Sequence, residues 1–328
     1  MASSSNAKLA KQYQKKTDKE HILDNPDTYT GSMEKVSSQM HIYDKDANKV
    51  ISKEIEYIPG LFKLFDEAIV NCHDHSVRTL AIEPSDNHYP VTTIDVTITS
   101  DGSFVFMNDG NGIDIAEHPE YKIWIPEMIF AHLRTGTNYD KSEKKIVGGK
   151  NGFGAKLIFI WSSYGSLETV DHTRKLKFTQ SYHNNLDIID KPKITKCSKK
   201  PYTKITFKPD YKRLGIENIS GDIIALFKKR VYDIAAITHK SVKVKLNGVP
   251  ISIKSFPSYI DMYIGTKSDA KRIHESPHPR WEYAVSLTPN DEFSQVSFVN
   301  GIYTSKGGKH VEYILNQITR KMIAYILK

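Results

Sequence analysis

Cysteine is nearly missing from this sequence: Cys72 and Cys197 are the only two in 328 residues. So small a supply excludes a disulfide framework and points to a reducing compartment. No apolar run approaches the ~20 residues that span a bilayer, and the N-terminus has no hydrophobic signal core. A soluble protein that is neither secreted nor membrane-bound is expected. Internal repeats and long low-complexity stretches are also lacking, which excludes a repeat architecture.

What is present is an ordinary globular composition, 39% hydrophobic and 26% charged, at a length that suits about two domains. The net charge of +8 makes a polyanionic partner plausible. Lysines gather at Lys141–Lys145, Lys191–Lys200, Lys228–Arg230 and Lys240–Lys245. A DNA-facing patch and plain solubilising surface both fit them. Turn signals at 24–27 precede a helix expected over 54–75. TTIDVTITSDGSFVFMN (92–108) reads as a hairpin turning at Asp101-Gly102, and 122–134 reads as helical. A long loop is expected over 135–152, then a helix from about Gly154, the strands SLETV, KLKFTQSYH and TKITFKPD, and a helix over 217–239. SVKVKLNGVPISIKSF gives another hairpin. WEYAVSLTP and QVSFVNGIYT read as paired strands, and 309–327 as an amphipathic helix. That helix reaches the last residue without a C-cap signal, the pattern of a chain that stops inside a second α+β domain.

Residues 61–75, LFKLFDEAIVNCHDH, carry chemistry. Leu61, Leu64, Phe65, Ala68 and Cys72 form an apolar helical stripe, with Cys72 as a small buried hydrophobe. Glu67, Asn71 and Asp74 at i, i+4 and i+7 share the neighbouring stripe. A carboxylate one turn before a carboxamide offers a general base beside a metal ligand, although a solvated helix face reads the same way. His73 and His75 flank Asp74 and suit either a metal or ordinary polar positions.

MNDGNG (107–112) follows a strand and sets one acid beside two glycines. Asp109 could accept from an exocyclic amine while Gly110 and Gly112 let a flat ring approach the backbone; a simple turn would use the same glycines. IVGGKNGFGAK (146–156) is more specific. Gly148, Gly149, Gly152 and Gly154 lead into a helix start, where backbone N–H groups cradle phosphates, and Lys150 and Lys156 add positive charge. The segment lacks the Gly-Lys-Ser/Thr ending of a Walker A loop, and no strand feeds it as in a Rossmann fingerprint.

FDEAIVN, NDGNGI and LRTGTNYDKSEKKIVGGKNGFGAKL together resemble the N, G1 and G2 boxes of the Bergerat (GHKL) ATP-binding family, and more narrowly the ATPase region of eukaryotic-type DNA topoisomerase II, cellular or virus-encoded. YQKKTDKEHILDNPDTYTGSME (13–34), ITFKPD (205–210) and FVNGIYTSKGGKHVEYILNQI (298–318) extend the resemblance over nearly the whole chain. It implies an α+β chain: a GHKL α/β sandwich over 1–262 with an N-terminal exchange arm (1–30), then the first part of a ribosomal-protein-S5-like transducer over 263–328. It implies an ATP-hydrolysing enzyme using Mg2+, acting as the dimeric N-gate that drives passage of double-stranded DNA. A cellular member would work in the nucleus, a viral one in host cytoplasm or virion.

Residue by residue, the resemblance makes Glu67 the general base and Asn71 the Mg2+ holder. Asp109 would recognise the adenine amine, with Thr203 in the same water network. Thr137 and Asn138 would contact ribose or the α-phosphate. Asn151, Gly152, Phe153, Gly154, Ala155 and Lys156 would wrap the phosphates, and Lys156 would serve catalysis. Tyr13 belongs to the arm that crosses to the partner's nucleotide. Asparagine is usual where Asp109 stands, and serine where Gly136 stands. The family's Gln-Thr-Lys loop is not found within 328 residues, since Gln317-Ile318-Thr319-Arg320 falls in a helix; the resemblance implies that it lies beyond Lys328. Chaperones and mismatch-repair clamps share the boxes, but QVSFVNGIYTSKGGKHVEYIL resembles the topoisomerase transducer and fits them poorly.

Overall fold

A computed structural model describes residues 13, 15–83, 85, 87–133, 135, 147–148, 153–253, 255–288 and 292–328. In chain order the described elements are α1 (Asp18–Asp24), β1 (Val36–Asp44), β2 (Lys49–Tyr57), α2 (Pro59–Leu80), β3 (Thr93–Ile98), β4 (Phe104–Asp109), α3 (Ile125–Ala131) and α4 (Gly154–Ile160). There follow β5 (Ser162–Asp171), β6 (Leu176–His183), β7 (Ile188–Ile189), β8 (Lys193–Lys196), β9 (Tyr202–Pro209), α5 (Gly221–Ile237), β10 (Lys243–Leu246) and β11 (Val249–Pro250). The last are α6 (Phe256–Ile264), β12 (Arg272–His278), β13 (Trp281–Ser286), β14 (Phe298–Val299), β15 (Ile302–Tyr303) and α7 (Lys309–Ile326).

Nine strands form one sheet in the order β11-β10-β3-β4-β9-β5-β6-β7, with β8 also pairing β6. The sequence alternation sets its faces. Register aligns Phe104 with Phe207 and Gly165, and Phe106 with Ile205 and Leu167. That face carries the helices: the Phe65 ring of α2 stacks on Phe227 of α5 at 4.4 Å and meets Phe104 and Phe106 edge-on. Gly165 is required where it stands, because a methyl group there would come within 2.4 Å of the Phe159 ring of α4. The result is a mixed α/β layer structure, as expected. No helix among the described residues is long and apolar enough to cross a membrane.

Two expectations need correction, and one element was missed. The helix starts at Pro59, not 54, and residues 54–57 belong to β2. Proline fits the first helical turn, where its missing N–H costs nothing, and the nine-residue pairing with β1 holds the preceding segment extended. WEYAVS pairs with RIHESPH rather than with QVSFVNGIYT, which folds back on itself as β14–β15. The β1–β2 hairpin, absent from the sequence reading, closes on α5 through Ile42, Ile55 and Leu226. The hairpin at Gly102 (φ +79°) and the helix starting at Gly154 stand where expected.

Candidate nucleotide site

The stripe on α2 and the glycine-bearing segment meet at two points. Towards the middle of α2, a methyl group at residue 154 would come within 1.8 Å of Glu67 Oε2, so the backbone at the start of α4 lies directly against that carboxylate. Two turns later, Asp74, only 1% exposed, accepts the Gly148 N–H through Oδ1 at 3.1 Å. These anchors lie seven residues apart on α2, about 10 Å along its axis, and Asn71 sits between them. The amphipathic register of α2 dictates this: Leu64, Phe65, Ala68 and Ile69 are buried in the core, which turns Glu67 and Asn71 towards the segment.

Glu67 is held from its other side too. Lys63 Nζ lies 2.6 Å from Glu67 Oε1. Burial works against the Lys63 ammonium, but the Glu67 carboxylate outweighs it and keeps the lysine pKa above its usual value. Lys156 is 2% exposed and donates to the Thr135 carbonyl at 2.6 Å. Burial pulls its pKa down to about 8. Phe153 caps α4 and its ring lies 6.3 Å from Tyr29, so the expected arm touches its own subunit at this point; Ala155 is half-buried beside them. Tyr13 is 73% exposed. Thr137, Asn138, Asn151 and Gly152 lie outside the described residues.

The NDGNGI segment is pinned to β5. Thr169 Oγ1 accepts the Ile113 N–H at 3.1 Å and Asp171 Oδ2 accepts that of Ile115 at 2.9 Å. A methyl group at residue 112 would fall 1.9 Å from the Val170 carbonyl oxygen, so only glycine fits. Asp109 does not face the helix layer. Its Oδ1 accepts the N–H groups of Thr92 and Thr93, each at 2.7 Å, and Oδ2 accepts the Thr92 hydroxyl. The neighbour Asn108, 5% exposed, continues the face of Phe104 and Phe106, aligned with Thr203 and Thr169. The hydroxyls of Thr203 and Thr169 are 3.0 Å apart. Two aromatic-aliphatic rows thus end in a polar row of Asn108, Thr203 and Thr169, and parity puts Asn108 rather than Asp109 on that face. The clue lay in the alternation Phe104, Phe106, Asn108.

Among the described residues no group of three His, Cys, Asp or Glu side chains is placed to hold a metal ion. His75 Nε2 is 2.7 Å from the Asn111 carbonyl oxygen. Cys72 is buried in the core, which pushes its thiol up to about 12.

A family model described as DNA gyrase B matches residues 253–328. The DNA topoisomerase 2 of Arabidopsis thaliana is 42% identical across 98% of this chain, and that of Acanthamoeba polyphaga mimivirus 43% across 98%. The solved ATPase region of Saccharomyces cerevisiae topoisomerase II superposes with a TM-score of 0.89 at 42% identity, over 97% of this chain and 82% of that one. This chain belongs to the type II DNA topoisomerase family. It corresponds to the ATPase region of that family, a GHKL sandwich followed by transducer sequence. It spans 22% and 25% of the plant and viral relatives' own lengths.

Proposed function

We propose that this chain binds Mg·ATP between α2 and the glycine-bearing segment, hydrolyses it with Glu67 as general base, and serves as the dimeric N-gate of a topoisomerase acting on double-stranded DNA. The observation that carries the reading is the contact of Gly154 with Glu67, which sets the expected base against the expected phosphate-binding backbone. The donor set fits the ion. A carboxamide oxygen with triphosphate oxygens and water is the hard oxygen environment that Mg2+ takes, and Asn71 is half-buried between the two anchors. Bound there, Mg2+ would neutralise phosphate charge.

The chain's own groups do the rest. Asn108 donates through Nδ2 to the Asp109 carbonyl at 2.8 Å, which leaves its amide oxygen to accept from the adenine amine beside Thr203. Thr137 and Asn138 would face ribose or the α-phosphate. Asn151, Gly152, Phe153, Gly154 and Ala155 would supply backbone around the phosphates, with the Lys156 ammonium as counter-charge. Glu67 takes a proton from the attacking water, held in place by Lys63 on one side and Gly154 on the other. Transfer to water needs positioning and charge neutralisation more than covalent help.

The depressed Lys156 pKa makes a testable link. A triphosphate favours the ammonium, so the pKa must rise in the complex, and binding takes up a proton between the two values. ATP affinity should therefore be fullest below pH 8 and fall as pH rises through about 8, by up to about tenfold per pH unit. Calorimetry should give adenosine a flat profile over the same range. An equally flat ATP profile would remove Lys156 from the phosphates.

Dimerisation tests the gate itself. Tyr13 is an exposed amphipathic ring suited to a partner's site. Sedimentation should find monomer without nucleotide and dimer with Mg2+ and a non-hydrolysable ATP analogue. Tyr13→Ala should shift the liganded protein towards monomer while sparing ADP affinity. An unchanged dimer in that variant would exclude the arm.

A further inference from the structure

Beyond Asp109 the chain leaves β4 and turns through Gly110, at φ +99°, towards Gly112. Backbone groups in such a turn have no strand partner and must find others. The partners of Asn111 lie outside the sheet. Its N–H donates to the Tyr89 carbonyl at 2.9 Å, and its own carbonyl accepts from His75 Nε2 of α2 at 2.7 Å. Its side-chain Oδ1 accepts the Tyr89 N–H at 2.8 Å, and Nδ2 lies 3.2 Å from His88 Nδ1.

These contacts determine the tautomer of His88. A backbone N–H can only donate, so the Asn111 Oδ1 faces Tyr89 and Nδ2 faces His88. The amide then donates, and His88 Nδ1 must be bare. On the far side of the ring, His88 Nε2 is 2.7 Å from the Thr79 carbonyl. A carbonyl can only accept, so Nε2 carries the proton. Thr79, 2% exposed, is in the last turn of α2, where carbonyls have no partner within the helix. One neutral imidazole thus satisfies an orphan helix carbonyl and an Asn111 amide proton together.

The segment carrying His88 is itself fixed against the turn. Thr79 Oγ1 accepts the Val91 N–H at 3.1 Å, and Thr92 and Thr93 hold the Asp109 carboxylate. A methyl group at residue 110 would fall 2.6 Å from Val91 Cγ2. Residues 88–93 and the turn over 109–112 therefore pack as one unit at the end of α2. His75 and His88 tie that unit to the helix, one through the Asn111 carbonyl and the other through its side-chain amide. His75 stands one turn from Asn71, whereas His88 reaches the turn from a segment that carries no expected site residue.

We propose that His88 is a positioning residue for base recognition: through Thr79 and Asn111 it sets the turn that follows Asn108, and with it the place where the adenine amine is met. This deepens the nucleotide reading above and rests on it. The effect is confined to the base end of the ligand. Thr79 lies about 18 Å along the α2 axis from Glu67, so the phosphate end should be spared.

Calorimetry of the whole chain tests this with a non-hydrolysable ATP analogue and Mg2+, with adenosine, and with tripolyphosphate and Mg2+. His88→Ala should weaken the analogue and adenosine about tenfold, the scale of one lost hydrogen-bond link, and leave tripolyphosphate within about twofold. In turnover, KM for ATP should rise about tenfold with kcat within about twofold, the pattern of lost ground-state binding. His88→Gln supplies a carboxamide that can donate to Thr79 and accept from Asn111, and it should recover affinity to within about threefold of wild type. Asn111→Leu keeps the volume but neither amide contact, and it should lose as much as His88→Ala. Unchanged affinity for the analogue and adenosine in both His88→Ala and Asn111→Leu overturns the inference. So do equal losses for all the ligands, which a merely structural histidine would give. Failure of the wild type to bind the analogue overturns the nucleotide reading beneath it.

Discussion

Glu67→Gln should leave binding of a non-hydrolysable ATP analogue within about threefold of wild type and cut turnover by ~10²-fold or more, the usual scale for a lost general base. The amide fills the same space one turn before Asn71, so the route of the ligand into the site is kept. What it lacks is a basic oxygen to take the proton from water. It also loses the ion pair with Lys63, now 2.6 Å from Oε1, but that pair is partly exposed and contributes little to stability. The signature is therefore a fall in kcat with nearly unchanged affinity, the pattern of an interaction made in the transition state. Turnover at the wild-type rate would remove Glu67 from the mechanism.

Gly154→Ala should damage turnover on a comparable scale while barely touching the fold. The added methyl group would lie 1.8 Å from Glu67 Oε2 and 2.7 Å from Cδ, distances no atoms hold. Something must move, and the far end of a flexible carboxylate moves more readily than a helix start. Gly154 is not among the residues with positive φ, so alanine suits its backbone and gains up to about 1 kcal/mol in helix propensity. Thermal unfolding should place the variant within about 1 kcal/mol of wild type, while turnover falls by tens to about 10²-fold as Glu67 leaves its position. A variant that melts normally and hydrolyses at full rate would show that Glu67 does not act from the place it occupies against Gly154.

How far the sequence revealed this site depended on how local each signal was. The stripe of Glu67, Asn71 and Asp74 follows from helical spacing alone, and the glycines before α4 announce a helix start with close backbone contacts. Both were legible. The sequence reading named Asp109 because composition singles out the acid, whereas the sheet's two-residue period assigns the inner face to its neighbour Asn108. Thr92 and Thr93, which take up the Asp109 carboxylate, are 17 and 16 residues away. β12 pairs with β13 across a short turn, but RIHESPH, polar and carrying Pro277, gives no strand signal, so WEYAVS was assigned the wrong neighbour. The β1–β2 hairpin was hidden by a polar exterior, since only Ile42, Val50 and Ile55 of its two strands are buried. The fully buried Arg230 of α5 gave no signal at all: within KKR it reads as surface charge, and only the meeting of α2, α5 and β14–β15 buries it.

The most direct test of the central claim, that α2 and the glycine-bearing segment form one hydrolytic centre through Glu67 and Gly154, is a double-mutant cycle on steady-state ATP turnover with Mg2+. Wild type, Glu67→Gln, Gly154→Ala and the double variant would be compared at saturating ATP. If the alanine acts only by displacing the carboxylate, it has nothing left to displace once Glu67 has lost its basic oxygen. The account predicts that the double variant is no slower than Glu67→Gln alone, so that the coupling equals the whole effect of Gly154→Ala. Losses that multiply would mean the two residues act independently, and would contradict it.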